Sequence, residues 1–488
     1  MKGDTQIVLD GTALVEGDVY GAGRNGDTVD GNTNVVLRGD KVEVKGIISG
    51  RGEGGLSTVD GDRVITFDNH GDVNWNQIKD FNVVELTGGT STMLGEDADH
   101  TLSTDFEKVV ISGPSTTVTG TIGRPVELHI TDDCWVELKG KDGTLTTNAG
   151  SVIKDNTTKD IVIHANANFN GTSIENSTIV ADGNIGVLDH STVKDANLVA
   201  ANGKISVNGG STIEGGEITV GKQGLSLGAS DVKVDKINGV DELLLDTQND
   251  WSLEVNNDLK LAEGSALRGF GLGENIWAYG ELKADSVSIE SGLKGALYAV
   301  NIEAKDGDIV IGGGNDVQVS HLTASDSVVL KDGVSLTHGS TATALTGDVW
   351  LNGGVKVENS DLIAENGIVK FNQSTMNGGK IVAGEALQMD NASVVVADSI
   401  NNGKAVKLDV NSGAHLNLSE EPTAASLTVN SDLVLADGSK FEGQKKVPYV
   451  TSDNNKDVEG LLAAHSIKSE GAVTFDLATV KATAGNIE

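Results

Sequence analysis

Residues 224–228, Gly-Leu-Ser-Leu-Gly, have the spacing of a nucleophile elbow, with Ser226 in the attacking position. That chemistry needs a sharp turn from a strand into a helix, so that the hydroxyl stands clear of the backbone. Here Ser226 lies between Leu225 and Leu227, and nothing after Gly228 reads as a helix. Two similar segments upstream place Ser206 between Ile205 and Val207, and Gly186 between Ile185 and Val187. A position that tolerates glycine is not a nucleophile, so Ser226 is expected to be an outward strand residue. Gly21, Gly23 and Gly26 form a G-x-G-x-x-G match directly after Val19 and Tyr20. A dinucleotide loop requires a helix to begin at the third glycine and present its N-terminus to the pyrophosphate. Asp27 to Asn34 carries Asp, Gly and Asn punctuation and leads into a strand. Asp40 and Glu43 stand where a ribose-binding acid would fall, but in an acid-rich chain such a match is cheap. Moreover, Gly347–Trp350 (GDVW) repeats Gly17–Tyr20 (GDVY) without any phosphate-loop spacing. These glycines are expected to be corners, and no cofactor is assigned.

Asp189, His190 and Ser191 place three triad residue types side by side. Adjacent side chains on a turn do not face one another, so no triad is expected there. His70, His100, His129, His164 and His338 show no metal-binding spacing. The acidic turns at 59–63, 305–309 and 312–316 raise the question of calcium. None completes a twelve-residue EF-hand loop or a nine-residue calcium roll. The metal assignment stays open, with room for weak Ca2+ binding at one corner. Trp75, Trp135, Trp251, Trp277 and Trp350 are scattered along the chain, although folding could still gather some of them in a groove. No catalytic residue is assigned, and the expectation is a protein without enzymatic activity.

Such residues must be held by something, and composition narrows what that is. The chain has 488 residues with 63 Gly and 4 Pro, and aromatics make up only 3%. Small and β-branched side chains fill many thin layers better than one thick core. With 71 acidic against 36 basic residues and a net charge of −35, the surface repels nucleic acid and anionic headgroups. Cys134 is the single cysteine, so no internal disulfide and no cysteine metal site can form. No apolar run approaches the roughly 20 residues of a membrane helix, so this segment is not expected to insert in a membrane. The opening MKGDTQIVLDG lacks the apolar core of a signal peptide, and the closing VKATAGNIE lacks an anchor signal, as expected either of a soluble protein or of the mature part or a fragment of a longer precursor.

An internal repeat supplies the scaffold. Segments 173–190, 191–210 and 211–230 align. Ile174, Val193 and Ile213 correspond, as do Ile179, Leu198 and Ile218; Ile185, Ile205 and Leu225; and Val187, Val207 and Leu227. Farther on, Val357, Leu362, Val369 and Phe371 repeat the spacing of Val193, Leu198, Ile205 and Val207, and Met376, Ile381, Leu387 and Met389 follow closely. A unit of three short strands cannot bury its apolar side alone. Stacked in parallel register, successive units form ladders of Val, Ile and Leu, with Gly, Asn and Asp at the corners. The fold class expected is therefore all-β: a parallel β-helix, or β-solenoid, right-handed, of 19–20-residue three-strand coils. About 24 such coils at ~4.8 Å spacing would extend roughly 115 Å. The organisation expected is an N-terminal region with irregular coils (1–115), a regular solenoid (116–440) and a variant capping region (441–488) that begins near the non-repeating stretch 440–457. Short helical turns are expected at 74–81 and 460–468.

With those coils, the GDVYGAG…DGNTNVVLRG stretch and residues 67–94, the chain resembles the passenger regions of bacterial autotransporters and related large surface adhesins. The resemblance covers roughly residues 1–440. No translocating-barrel strand set and no serine-protease motif of such passengers is found, so no active site is carried over. The resemblance implies a non-enzymatic structural or adhesive solenoid, extracellular or on a bacterial surface. It would self-associate into fibres or a layer, or bind a ligand on a host or neighbouring cell. The alternatives are a carbohydrate-active β-helix enzyme and a phage tail-fibre or spike-like protein.

Overall fold

The structure is a computed structural model that describes residues 2–23, 26–39, 41–70, 74–94, 106–140, 142–272, 275–390, 393–411, 424–443 and 459–488. It is all-β, a parallel β-solenoid, and divides into two compact units, 1–240 and 241–488.

In the first unit the aligned segments become consecutive turns. Thr192–Lys194, Asn197–Ala200 and Ile205–Val207 are the three strands of one turn, and Ser211–Glu214, Glu217–Val220 and Leu225–Leu227 are those of the next. Each strand pairs in parallel with its equivalent. The apolar ladders run Ile153–Ile174–Val193–Ile213–Val232, Ile161–Ile179–Leu198–Ile218–Ile237, Ile185–Ile205–Leu225 and Val187–Val207–Leu227. Almost all of these side chains are fully buried. Burying each contributes about 1.5–3 kcal/mol, which no single turn could gather alone.

The second unit follows the same rule. One ladder runs Leu253–Leu282–Ile302–Leu322–Ala342–Leu362–Ile381–Ile400. A ten-stranded parallel sheet extends from Leu259–Lys260 to Thr474–Asp476. Val357 pairs with Met376, Val369 with Leu387 and Phe371 with Met389, as the downstream repeat predicts.

Two expectations need correction. The units together hold about 18 turns, not about 24. The reason is that many turns are longer than 20 residues. Thr5 pairs with Thr33, 28 positions on, and Thr33 with Arg63, 30 positions on. Val395 pairs with Leu427, 32 positions on, and Leu427 with Leu462, 35 positions on. The surplus lies in corners and extra strands, which leave the ladders undisturbed. The helical turns expected at 74–81 and 460–468 are strands instead. Asn74–Lys79 pairs with Glu43–Ser49, and Gly460–Ala464 lies between Ser426–Val429 and Ala478–Ala482. A strand with ladder partners gains more than helix propensity offers. Most of the stretch 440–457 lies outside the described residues.

Two corner devices recur. At one, a buried hydroxyl accepts the backbone N–H of the preceding turn. Thr172 N donates to Ser191 Oγ at 3.0 Å, and Ser191 N donates to Ser211 Oγ at 3.2 Å. In the other unit Val300 N donates to Ser320 Oγ and Ser320 N to Ser340 Oγ, both at 3.1 Å. The second device is a single residue that turns the chain with a left-handed backbone: Asp155, Asn176 and Asp195 in the first unit, and His338 and Asn359, at the corner that Ser340 and Ser360 also occupy, in the second. Val319 occupies this corner at φ +50°. A β-branched side chain is strained there, whereas Asn is not. Val319→Asn should therefore raise stability by about 1 kcal/mol. An unchanged or lowered urea midpoint would show that the strain is relieved some other way.

Candidate ligand-binding face

Among the described residues, the reactive-looking motifs lie on strands and corners of the solenoid. Ser226 is the half-buried middle residue of the strand Leu225–Leu227, in register with Ser206 and, through it, Gly186. Gly21 N donates to Ser49 O, and Gly26 is followed by the strand Thr28–Val29, with no helix. Arg24, Asn25 and Asp40 lie outside the described residues. Asp189 and His190 form a corner at φ +53° and +62°. Ser191 beside them is fully buried, its hydroxyl donating to Leu188 O at 2.6 Å. One trio escaped the sequence reading: Asp432 Oδ1 accepts from Ser466 Oγ at 2.6 Å and lies 2.8 Å from His465 Nδ1. Serine and histidine both bind the carboxylate instead of each other, so the histidine has no serine proton to take.

The acidic corners have a structural use. Asp18 Oδ1 accepts Ile47 N, Asp308 Oδ1 accepts Ser327 N and Asp348 Oδ1 accepts Ile368 N, each reaching the following turn. The turns examined for calcium take part: Asp62 N donates to Asn32 Oδ1, and Asn315 Oδ1 accepts Leu293 N. Among the described residues no group of three or more His, Cys, Asp or Glu could hold a metal ion. His129 lies 2.7 Å from Glu127, which also takes Lys108 at 2.7 Å; His164 lies 3.1 Å from Asp182; His338 contacts the Thr337 hydroxyl. His100 and the side chain of His70 lie outside the described residues.

These contacts lower several carboxyl pKa values. Glu127 is lowered by the hydrogen bond from Lys108, with His129 adding to it. Asp18 is lowered chiefly by the Ile47 amide, Asp133 by the Thr158 amide and Asp432 by the Ser466 hydroxyl. A carboxylate whose folded pKa is depressed stabilises the fold above its unfolded pKa, and that contribution disappears as pH falls through the folded value. The melting temperature should therefore hold from neutrality down to the ordinary carboxylate range and fall below it. A flat profile through that range would contradict the assignment.

Cys134 stands in the corner position that Thr90 and Thr116 occupy in the preceding turns. Its thiol donates to Thr131 O at 2.9 Å, and burial pushes its pKa up to about 12. It should resist thiol reagents at neutral pH in the folded protein and react stoichiometrically in denaturant. Rapid labelling of native protein would show that this corner opens. Cys134→Ser should be tolerated, since hydroxyls fill the same corner elsewhere.

The aromatic residues locate the most distinctive surface. Trp75 packs near Phe67 and Trp135 hydrogen-bonds Glu137, both in the first unit. In the second, Trp350 lies under the Lys370 ammonium at 4.8 Å from the ring. A hairpin formed by Phe270–Leu272 and Asn275–Ala278 projects from one turn, and it is the antiparallel pairing among the described strands. Phe270 is 46% exposed and Trp277 62% exposed, and their rings lie 4.9 Å apart. The hairpin is rooted from below. Trp251 is 1% exposed, and its Nε1 donates to Arg268 O at 2.8 Å. Gly269 N donates to Tyr298 O. Gly280 closes the base, where a Cβ would run into the Trp251 indole. Next to it the Tyr279 ring lies 5.4 Å from the His321 ring, tilted by 37°. From there an outward polar ladder runs Glu281–Asn301–His321–Thr341, one residue per turn. Asn301 Nδ2 donates to Glu281 Oε1 at 2.7 Å, and His321 Nδ1 lies 2.9 Å from Thr341 Oγ1.

Of this face, sequence reasoning noted Trp251 and Trp277 but missed Phe270, Tyr279 and His321. The signal available was the glycine-flanked aromatic segment 268–280, which departs from the repeat and reads as a hairpin. Comparison of the chain with protein-family models, curated proteins and solved structures finds no match.

Proposed function

We propose that the chain is a non-enzymatic, extracellular β-solenoid, displayed on or shed from a bacterial surface, that holds a surface ligand on its outward faces and associates with copies of itself. One observation supports this reading above others. Ser191, Asp18, Asp308 and Asp348 are engaged in turn-to-turn hydrogen bonds, while aromatic rings stand exposed on a rooted hairpin. Exposed aromatic area with polar neighbours suits binding. The experiment is attachment of the purified chain to bacterial and host cells, with reducing-end assays on neutral and acidic polysaccharides run in parallel. Attachment without product release is expected. Product release would overturn the non-enzymatic reading, and absence of attachment the adhesive one.

Self-association must overcome a net charge of −35. Raising ionic strength from about 0.01 to about 1 M shortens the screening length from about 30 to about 3 Å. Assembly measured by sedimentation should grow over that range, and a constant monomer would remove self-association from the proposal.

A further inference from the structure

Resting on that reading of the chain as a binding protein, we propose that the Phe270–Trp277 hairpin and the ladder Glu281–Asn301–His321–Thr341 form one binding site for an extended, neutral, equatorially linked glycan such as a β-1,4-linked pyranose chain. Four features select this ligand class.

The first is the aromatic platform. Phe270 and Trp277 are exposed, with their rings 4.9 Å apart and tilted by 46°, and Tyr279, two residues beyond Trp277, lies against His321 of the ladder. Flat apolar C–H faces of pyranose rings stack on such faces, which carry the negative side of the aromatic quadrupole. The second is the polar lining. The ladder offers a carboxylate, an amide, an imidazole and a hydroxyl in a row, the mixture of donors and acceptors that hydroxyl groups need. Asn301 Oδ1 is buried without a hydrogen-bond partner, so one polar valence of the row is left unfilled by the protein. The third is spacing. Rungs of a parallel sheet repeat every ~4.8 Å in a straight line. An equatorially linked chain is likewise straight and advances by a comparable length per sugar, so each sugar can meet a rung. An axially linked chain curls away from a straight row. The fourth is charge. Glu281 lies in the row, Glu303 flanks it with its partner Lys283, and the chain as a whole is strongly acidic. That field repels polyanionic glycans and leaves neutral ones unaffected.

The rigidity of the base matters for affinity. Trp251, Gly280 and the Gly269 and Tyr298 backbone groups hold the hairpin in place before any ligand arrives, so little ordering is required on binding.

The test is calorimetric titration of the full chain with cellohexaose, maltohexaose and polygalacturonate. Cellohexaose should bind. Maltohexaose and polygalacturonate should bind at least tenfold more weakly or not at all. Trp277→Ala should weaken cellohexaose binding at least tenfold, and His321→Ala several-fold, with unchanged circular dichroism and melting temperature. Trp277 is exposed, so its removal leaves the core intact. No cellohexaose binding at millimolar sugar, or equal affinity in Trp277→Ala, would overturn the site. Tighter binding of polygalacturonate would overturn the ligand class. Cell attachment by the wild-type chain separates the two levels. Attachment by a wild-type chain that binds no cellohexaose refutes this site alone, whereas no attachment refutes the adhesive reading.

Discussion

Trp251→Ala is expected to destabilise the unit 241–488 by about 3–5 kcal/mol, the range for emptying a buried large aromatic site. Three losses coincide. The indole leaves a cavity under the hairpin, Arg268 O loses the Nε1–H that it accepts at 2.8 Å, and Gly280 loses the ring that packs against it. The hairpin should then move freely on its stem, and cellohexaose binding should vanish with it. Trp251→Phe separates these effects. It keeps most of the volume and leaves only the Arg268 carbonyl unsatisfied, at a cost of about 1–3 kcal/mol. Urea unfolding followed by circular dichroism measures both. If the Ala variant unfolds at the wild-type midpoint, Trp251 is not the root of the hairpin.

Ser340→Ala should cost about 1–3 kcal/mol although it removes a single oxygen. The hydroxyl donates to Thr337 O at 2.6 Å and accepts Ser320 N at 3.1 Å, and the residue is fully buried. Alanine would leave that amide without an acceptor, with no room for water to replace it. Ser340→Thr keeps the hydroxyl, as Thr90, Thr116 and Thr172 do at buried corners of the other unit, and should lose less. Because each turn bonds mainly to its neighbours, the damage should stay local. Hydrogen exchange should quicken at Ser320 and nearby amides and remain slow several turns away. Uniform loss of protection would instead mean that the unit opens as one cooperative body.

The ladders were legible because their period is short and their chemistry is plain. The steps that align Val193 with Ile213, or Val357 with Met376, are the register of the paired strands. The same repeat argued correctly that Ser226 lies on a strand. What the period could not carry was anything that departs from it. Leu461, Leu462, Ala463 and Ala464 favour a helix in isolation, yet a strand on each side holds them extended. The hairpin has no counterpart among the other described turns, so alignment passed over Phe270 and Tyr279. The corner serines were visible as the recurring Ser-Thr pair at 191, 211 and 374, but their role depends on an amide one turn away. Acidic turns carry a role that the period does not announce: Asp18, Asp308 and Asp348 each accept an N–H of the following turn.

The hairpin also bears on how such a chain changes over generations. Ser252 pairs with Glu281, 29 positions on, whereas Gly280 pairs with Val300, 20 positions on. The difference is close to the length of the hairpin itself, so the hairpin is a splice into one corner of an otherwise ordinary turn. Recombination can exchange such a segment without touching a single rung of the ladders. If the proposed site is right, a lineage carrying this scaffold can revise what it recognises by swapping a cassette of about ten residues, while selection on stability acts on a different and largely separate set of positions.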